Sequence, residues 1–181
     1  MLNLPNILAS ARIVLAPLLL LLLLLLKDEN DLVAISWLNY FAALVFVLAC
    51  ITDFFDGYIA RSWDQKTKLG EILDPLADKM LTLAAFLGLM MIERANEWAI
   101  YIILTREFFI TGFRVVLASE NISVQASFAG KLKTTFQMIA IGFLIMQWPL
   151  AQLLLWLAVF LTVYSGANYI MAYIKQKQTN S

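Results

Sequence analysis

The sequence predicts an all-α integral membrane protein of six transmembrane helices with both termini on the cytoplasmic side. Three observations carry that expectation. Of 181 residues, 62% are hydrophobic and 14% charged, too few charges to cover a small soluble domain. The mean hydropathy is +0.80. The apolar residues fall into six stretches, each able to supply the roughly 20 residues that a helix needs to cross a bilayer.

The first span is expected over residues 5–26. Its leucine run, Leu18 to Leu26, resembles a signal-peptide core, but no small-residue cleavage site follows. Lys27-Asp28-Glu29-Asn30 reads as an interface boundary, so the segment is read as a retained helix. Further spans are expected over 33–60, 75–92, 97–118, 128–147 and 150–174. Asp74 before Pro75 is expected to start the third, because aspartate caps free amides and proline suits the first helical position. Trp37 with Tyr40, Trp98 with Tyr101, and Trp148 fall near one set of ends and read as interfacial anchors. Residues 1–174 are read as one membrane domain and the polar residues 175–181 as a flexible tail, whose Lys175 and Lys177 attract anionic lipid heads.

Basic residues set the orientation. Arg12, Arg61, Lys66, Lys68, Lys79, Arg114, Lys131, Lys133, Lys175 and Lys177 fall toward one side, and Lys27 and Arg94 toward the other. The positive-inside rule makes the richer side cytoplasmic, and with it the ends of the second and third helices.

Composition also excludes function classes. With 13 basic and 13 acidic residues the formal charge is zero, which argues against a nucleic-acid partner. Cys50 is the single cysteine, so neither an intrachain disulfide nor a thiolate metal cage can form, and it reads as a small buried hydrophobe. Histidine is absent, which leaves acid–base work to carboxylates, lysines or tyrosines.

Against that background four acids stand out. Asp53 and Asp56 are three apart at the end of the second span, and Asp74 and Asp78 are four apart at the start of the third, so each pair shares a helix face. Carboxylates beside hydrocarbon are costly and demand a cation, a water-filled cavity, or both. An oxygen-only donor set points to Mg²⁺ or Mn²⁺ rather than zinc, and such a metal usually accompanies phosphate substrates. Gly57 and Ala60 continue the Asp53/Asp56 face by a turn. Small residues there read either as helix-packing positions or, beside four acids and Arg61, as a slot where a nucleotide meets the backbone.

The order Asp53-x-x-Asp56-Gly57-x-x-Ala60-Arg61, eight residues, Gly70-x-x-x-Asp74-x-x-x-Asp78 resembles, at every fixed position, the signature of the CDP-alcohol phosphatidyltransferase family. Asn3-Leu4-Pro5-Asn6 with Arg12, Arg106-Glu107-Phe108-Phe109-Ile110 and Gly130-Lys131-Leu132-Lys133-Thr134-Thr135 resemble the branch that uses glycerol 3-phosphate. The resemblance implies a six-helix enzyme, commonly a homodimer, that moves a phosphatidyl group from CDP-diacylglycerol to an alcohol and releases CMP. Carried over by position, it implies that Asp53, Asp56 and Asp74 hold metal ions and that Asp78 is the general base and a possible further ligand. It implies that Asn3, Pro5, Asn6, Gly57, Ala60, Arg61, Thr67 and Gly70 shape the CDP-lipid site.

An acceptor of that kind brings its own phosphate and calls for a basic pocket, for which Arg106, Arg114, Lys131 and Lys133 are the candidates. Arg106 lies inside a predicted span, where an unpaired cation is costly, and eight residues before Arg114. The competing reading pairs Arg106 with Glu107 or a neighbouring helix and makes Lys131 and Lys133 simple anchors. Sister enzymes using inositol phosphate, serine or phosphatidylglycerol stay open, because the signature leaves the acceptor unspecified. A cation transporter is disfavoured: it would place acids at the bilayer midplane on broken helices.

Overall fold

The computed structural model describes residues 4–62, 68–119 and 128–179, with side chains for all of these except 4–6, 54, 56–62, 68–75, 118–119 and 176–179. All six expected segments are helical: α1 (Leu4–Leu25), α2 (Leu32–Ser62), α3 (Lys68–Met91), α4 (Glu97–Ser119), α5 (Phe128–Ile145) and α6 (Ala151–Thr179). No strand occurs among the described residues. Within these, three stretches are long and apolar enough to cross a membrane: Ile7–Leu25, Leu32–Asp53 and Ala151–Lys175. Helices α4 and α5 carry charges within their apolar runs, Arg106, Glu107 and Arg114 in α4 and Lys131 and Lys133 in α5.

Two boundaries differ from expectation. Helix α3 begins at Lys68, so Asp74 and Pro75 lie inside it and do not start it. The physical reason is legible afterwards: Leu69, Ile72, Leu73 and Leu76 repeat at i, i+3, i+4 and i+7, and that apolar stripe carries the helix upstream of the proline. Helix α6 continues to Thr179, so residues 175–179 extend it.

The ends that do form are capped. Asp31 Oδ1 accepts from the Val33 amide (3.1 Å) at the start of α2. Asn96 Oδ1 accepts from the amides of Trp98 (3.1 Å) and Ala99 (3.2 Å) at the start of α4. Helices α3 and α5 close on left-handed residues, Glu93 (φ 59°) and Gln147 (φ 53°). The following amides turn back, Arg94 to Leu89 O (2.9 Å) and Trp148 to Phe143 O (3.0 Å).

The chain packs as two compact units, Met1–Ala95 with Ile141–Trp148, and Asn96–Ala140 with Pro149–Ser181. In the first, α1 lies against α2 and α3. The buried line of α1 is Ala9, Arg12, Ala16, Leu19, Leu23 and Leu26, spaced alternately three and four, the seam of closely packed left-handed helix pairs. Helix α2 repeats the spacing with Asn39, Ala42, Phe46 and Ala49. Asp53 and Asp56 occupy the next two register positions of that stripe. At the end remote from Asp53, Arg94 Nη1 donates to Asn39 Oδ1 (2.7 Å) and to Ile145 O (2.8 Å), which satisfies a carbonyl left open at the end of α5.

In the second unit α4 packs on α6 through Ile110, Leu117 and Tyr169, with Phe113 edge-on to Tyr169 and Tyr173 at 6.3 and 5.3 Å. Outer faces in both units are apolar: Leu21, Leu44, Val47, Phe160 and Val163 are exposed, while Arg12, Glu107 and Lys133 are buried. Charge inside and hydrocarbon outside inverts the soluble pattern and suits a lipid solvent.

Gly88 of α3 packs directly against Leu23 of α1. A Cβ there would lie 2.7 Å from Leu23 Cδ1 and 3.0 Å from Leu23 Cβ, an atom that no rotamer change can move away. Gly88→Ala should therefore lower stability by about 1–3 kcal/mol, despite alanine's better helix propensity, as read by thermal denaturation in detergent.

Candidate active site

Arg12 of α1 is fully buried, and its Nη1 donates to Asp53 Oδ1 of α2 in an ion pair. A guanidinium placed among alanines and leucines needs such a partner, and the pair fixes the rotamer of Asp53 from the side of α1. Asp53 of α2 is thus paired with a buried cation of α1. Asp78 lies in α3, ten residues after the start of that helix. Thr82 steadies α3 here, its hydroxyl donating to the carbonyls of Asp78 (3.0 Å) and Lys79 (3.2 Å).

Asp56, Gly57, Ala60 and Arg61 lie in α2 and Gly70 and Asp74 in α3, but their side-chain surroundings, with those of Pro5 and Asn6, fall outside the described residues, as do Asn3 and Thr67 altogether. Among the described residues no three acids or cysteines form a metal-binding group. The donor chemistry of Asp53 and Asp78, carboxylate oxygens with no nitrogen or sulfur donor, fits a hard divalent ion better than zinc.

The second unit holds a polar seam inside apolar helices. Glu107 Oε1 of α4 accepts from Arg106 Nη1 (3.2 Å) and from Lys133 Nζ of α5. Arg106 Nη2 donates to Ser165 Oγ of α6 (2.8 Å), and that hydroxyl donates to Thr162 O (3.1 Å). Gln137 Nε2 donates to Thr162 Oγ1 (2.9 Å), which in turn donates to Ala158 O (2.6 Å). Three helices are thereby joined by one run of hydrogen bonds.

The four candidate phosphate ligands separate. Arg106 and Lys133 meet at Glu107, which confirms an ion pair for Arg106 and adds a second cation to it. Arg114 is exposed, its guanidinium 4.9 Å above the Tyr169 ring, four residues along α6 from Ser165. Lys131 is exposed, two residues and roughly 200° around α5 from Lys133. Sequence reasoning did not single out Ser165, Thr162 or Gln137. Their signal was polar side chains at three- and four-residue spacing on the buried stripes, Gln137 four after Lys133 and Ser165 three after Thr162.

The family profile of the CDP-alcohol phosphatidyltransferases matches residues 2–164. The chain belongs to that family. This CDP-alcohol phosphatidyltransferase is similar to the CDP-diacylglycerol–glycerol-3-phosphate 3-phosphatidyltransferase of Bacillus subtilis, 40% identical over 181 residues that cover 93% of this chain and 94% of the relative. It is also similar to the protein of the same name from Rickettsia typhi, at 39% identity over 95% of this chain and 97% of the relative. The match extends through residues of both compact units.

The shared carboxylate gives a direct test of the seam. Glu107→Leu removes the acceptor common to Arg106 and Lys133 and should cost about 3–5 kcal/mol of stability. Adding Lys133→Met should recover part of that loss, because an apolar pair replaces a broken ionic one. A double-mutant cycle by denaturation in detergent reads the coupling.

Proposed function

We propose that this chain transfers the phosphatidyl group of CDP-diacylglycerol to sn-glycerol 3-phosphate, giving phosphatidylglycerol phosphate and CMP. The observation that carries the reading is similarity along 93–95% of the chain to relatives named for that transfer. The part-buried Arg106 and the buried Lys133 support the acceptor, since a phosphate-bearing alcohol needs charge to balance it.

In the reaction a hydroxyl of the acceptor gives its proton to Asp78 while its oxygen forms a bond to the phosphorus that carries the diacylglycerol. The bond from that phosphorus to the CMP oxygen breaks, and CMP leaves with the electron pair. Asp53, Asp56 and Asp74, with Asp78 as a further ligand, hold Mg²⁺ or Mn²⁺. When bound, the cation neutralises diphosphate charge. Arg12 keeps the Asp53 carboxylate in its place on the seam between α1 and α2.

Gly57, Ala60, Arg61, Thr67 and Gly70, with Asn3, Pro5 and Asn6, form the CDP-lipid site. Arg106 and Lys133 take the acceptor phosphate, which competes with Glu107 for both cations, and Arg114 and Lys131 add charge from exposed positions. All six helices cross the cell membrane, residues 1–174 act as one domain, and the active site faces the cytoplasm with both termini. The working form is a homodimer, as the family resemblance implies. The apolar stretches in α1, α2 and α6 and the placement of basic residues support this arrangement.

Chelating divalent cations from the purified protein should stop CMP release, and Mg²⁺ or Mn²⁺ should restore it. Asp78→Asn should cut turnover by about 10²–10⁴-fold, the weight of a general base, while CDP-lipid still binds. Near-normal turnover of Asp78→Asn removes it as the base.

A further inference from the structure

Arg106 is a long cation held flat against α6, and its position depends on the two α6 residues beneath it. An ideal Cβ at Gly166 would lie 3.0 Å from Arg106 Nε, 3.4 Å from Cγ and 3.8 Å from Cδ. The first of these is closer than ordinary van der Waals contact, so any side chain at 166 would push the arginine stem outward. The neighbouring residue supplies the other half of the arrangement: Ser165 Oγ takes Nη2 at 2.8 Å and is itself aimed by its bond to Thr162 O at 3.1 Å. Nη1 is engaged by Glu107 at 3.2 Å. Nε is buried with no hydrogen-bond partner among the described residues, so the stem is fixed by contact with Gly166 and by its two Nη bonds.

Elsewhere on α4 the packing is apolar and aromatic, through Ile110, Phe113 and Leu117. Glycine at 166 is not required by the backbone, since no glycine in the described chain has positive φ. Alanine is a better helix former, so a purely structural α6 would favour a side chain there. What glycine provides is a gap of one methyl group, and Arg106 fills it.

We propose that Gly166 and Ser165 are positioning residues for the acceptor: the glycine admits the Arg106 stem and the serine hydroxyl aims its guanidinium, together setting the place of the acceptor phosphate. The inference rests on the reading of Arg106 as an acceptor-phosphate ligand. Binding groups must be held to within about 0.5 Å, and a Cβ at 166 consumes a displacement of that order.

The test is kinetic, on the full chain in detergent with Mg²⁺, varying glycerol 3-phosphate and CDP-diacylglycerol in turn, for Gly166→Ala, Ser165→Ala and Arg106→Gln. Gly166→Ala and Ser165→Ala should each raise KM for glycerol 3-phosphate on the order of three- to tenfold, the weight of weakening one charge-assisted hydrogen bond. Neither should change KM for CDP-diacylglycerol, and the melting temperature of Gly166→Ala should hold or rise. The rise in melting temperature that glycerol 3-phosphate confers on the wild type should shrink in both variants. If Arg106→Gln raises the acceptor KM but Gly166→Ala and Ser165→Ala do not, the positioning role is wrong and the acceptor reading stands. If Arg106→Gln leaves the acceptor KM unchanged, the acceptor reading fails and takes the inference with it. A rise in both KM values together with a fall in melting temperature in Gly166→Ala overturns the proposal in favour of a packing role.

Discussion

Charge inside an apolar helical bundle survives only where its compensation is built in beside it, and this constraint organises both units of the protein. Lipid offers no water to solvate an unpaired guanidinium or carboxylate. Arg12 therefore sits opposite Asp53, and Glu107 sits between Arg106 and Lys133. In each cluster at least one charge, Arg12 in the first and Glu107 with Lys133 in the second, is buried in helices whose outer faces are hydrocarbon. The helices themselves are set by apolar runs, whereas their relative rotation must bring these groups together.

The same compensation prepares the chemistry. A carboxylate already held by an arginine, and a pair of cations already held by a glutamate, are ordered before any ligand arrives, so little entropy is lost when one binds. Glu107 offers two cations the kind of oxygen that a phosphate would offer.

The helical architecture was legible because a bilayer span is a local property of roughly twenty residues. The start of α3 was misplaced because Asp74-Pro75 carries two cap signals, while the apolar repeat Leu69, Ile72, Leu73, Leu76 that overrides them lies upstream. At the acid cluster, spacing alone placed Asp53 on a helix face shared with Asp56, but the Arg12 pairing joins residues 41 apart and needed tertiary structure. Lys131 and Lys133 are equivalent as sequence; only the packing of α5 shows that the second is buried against Glu107 and the first exposed. Gly166 carried no sequence signal, since its meaning is the arginine stem lying over it.

The central claim is that glycerol 3-phosphate is the acceptor whose phosphate answers the basic cluster of Arg106 and Lys133. It is tested most directly by supplying the purified protein with CDP-diacylglycerol, a divalent cation and, in separate reactions, labelled glycerol 3-phosphate, glycerol, serine and inositol phosphate, and measuring label in the lipid fraction. The account predicts labelled lipid from glycerol 3-phosphate, with matching CMP release, and none from glycerol or serine. Labelled lipid from inositol phosphate alone, or equal labelling from glycerol and glycerol 3-phosphate, would contradict it.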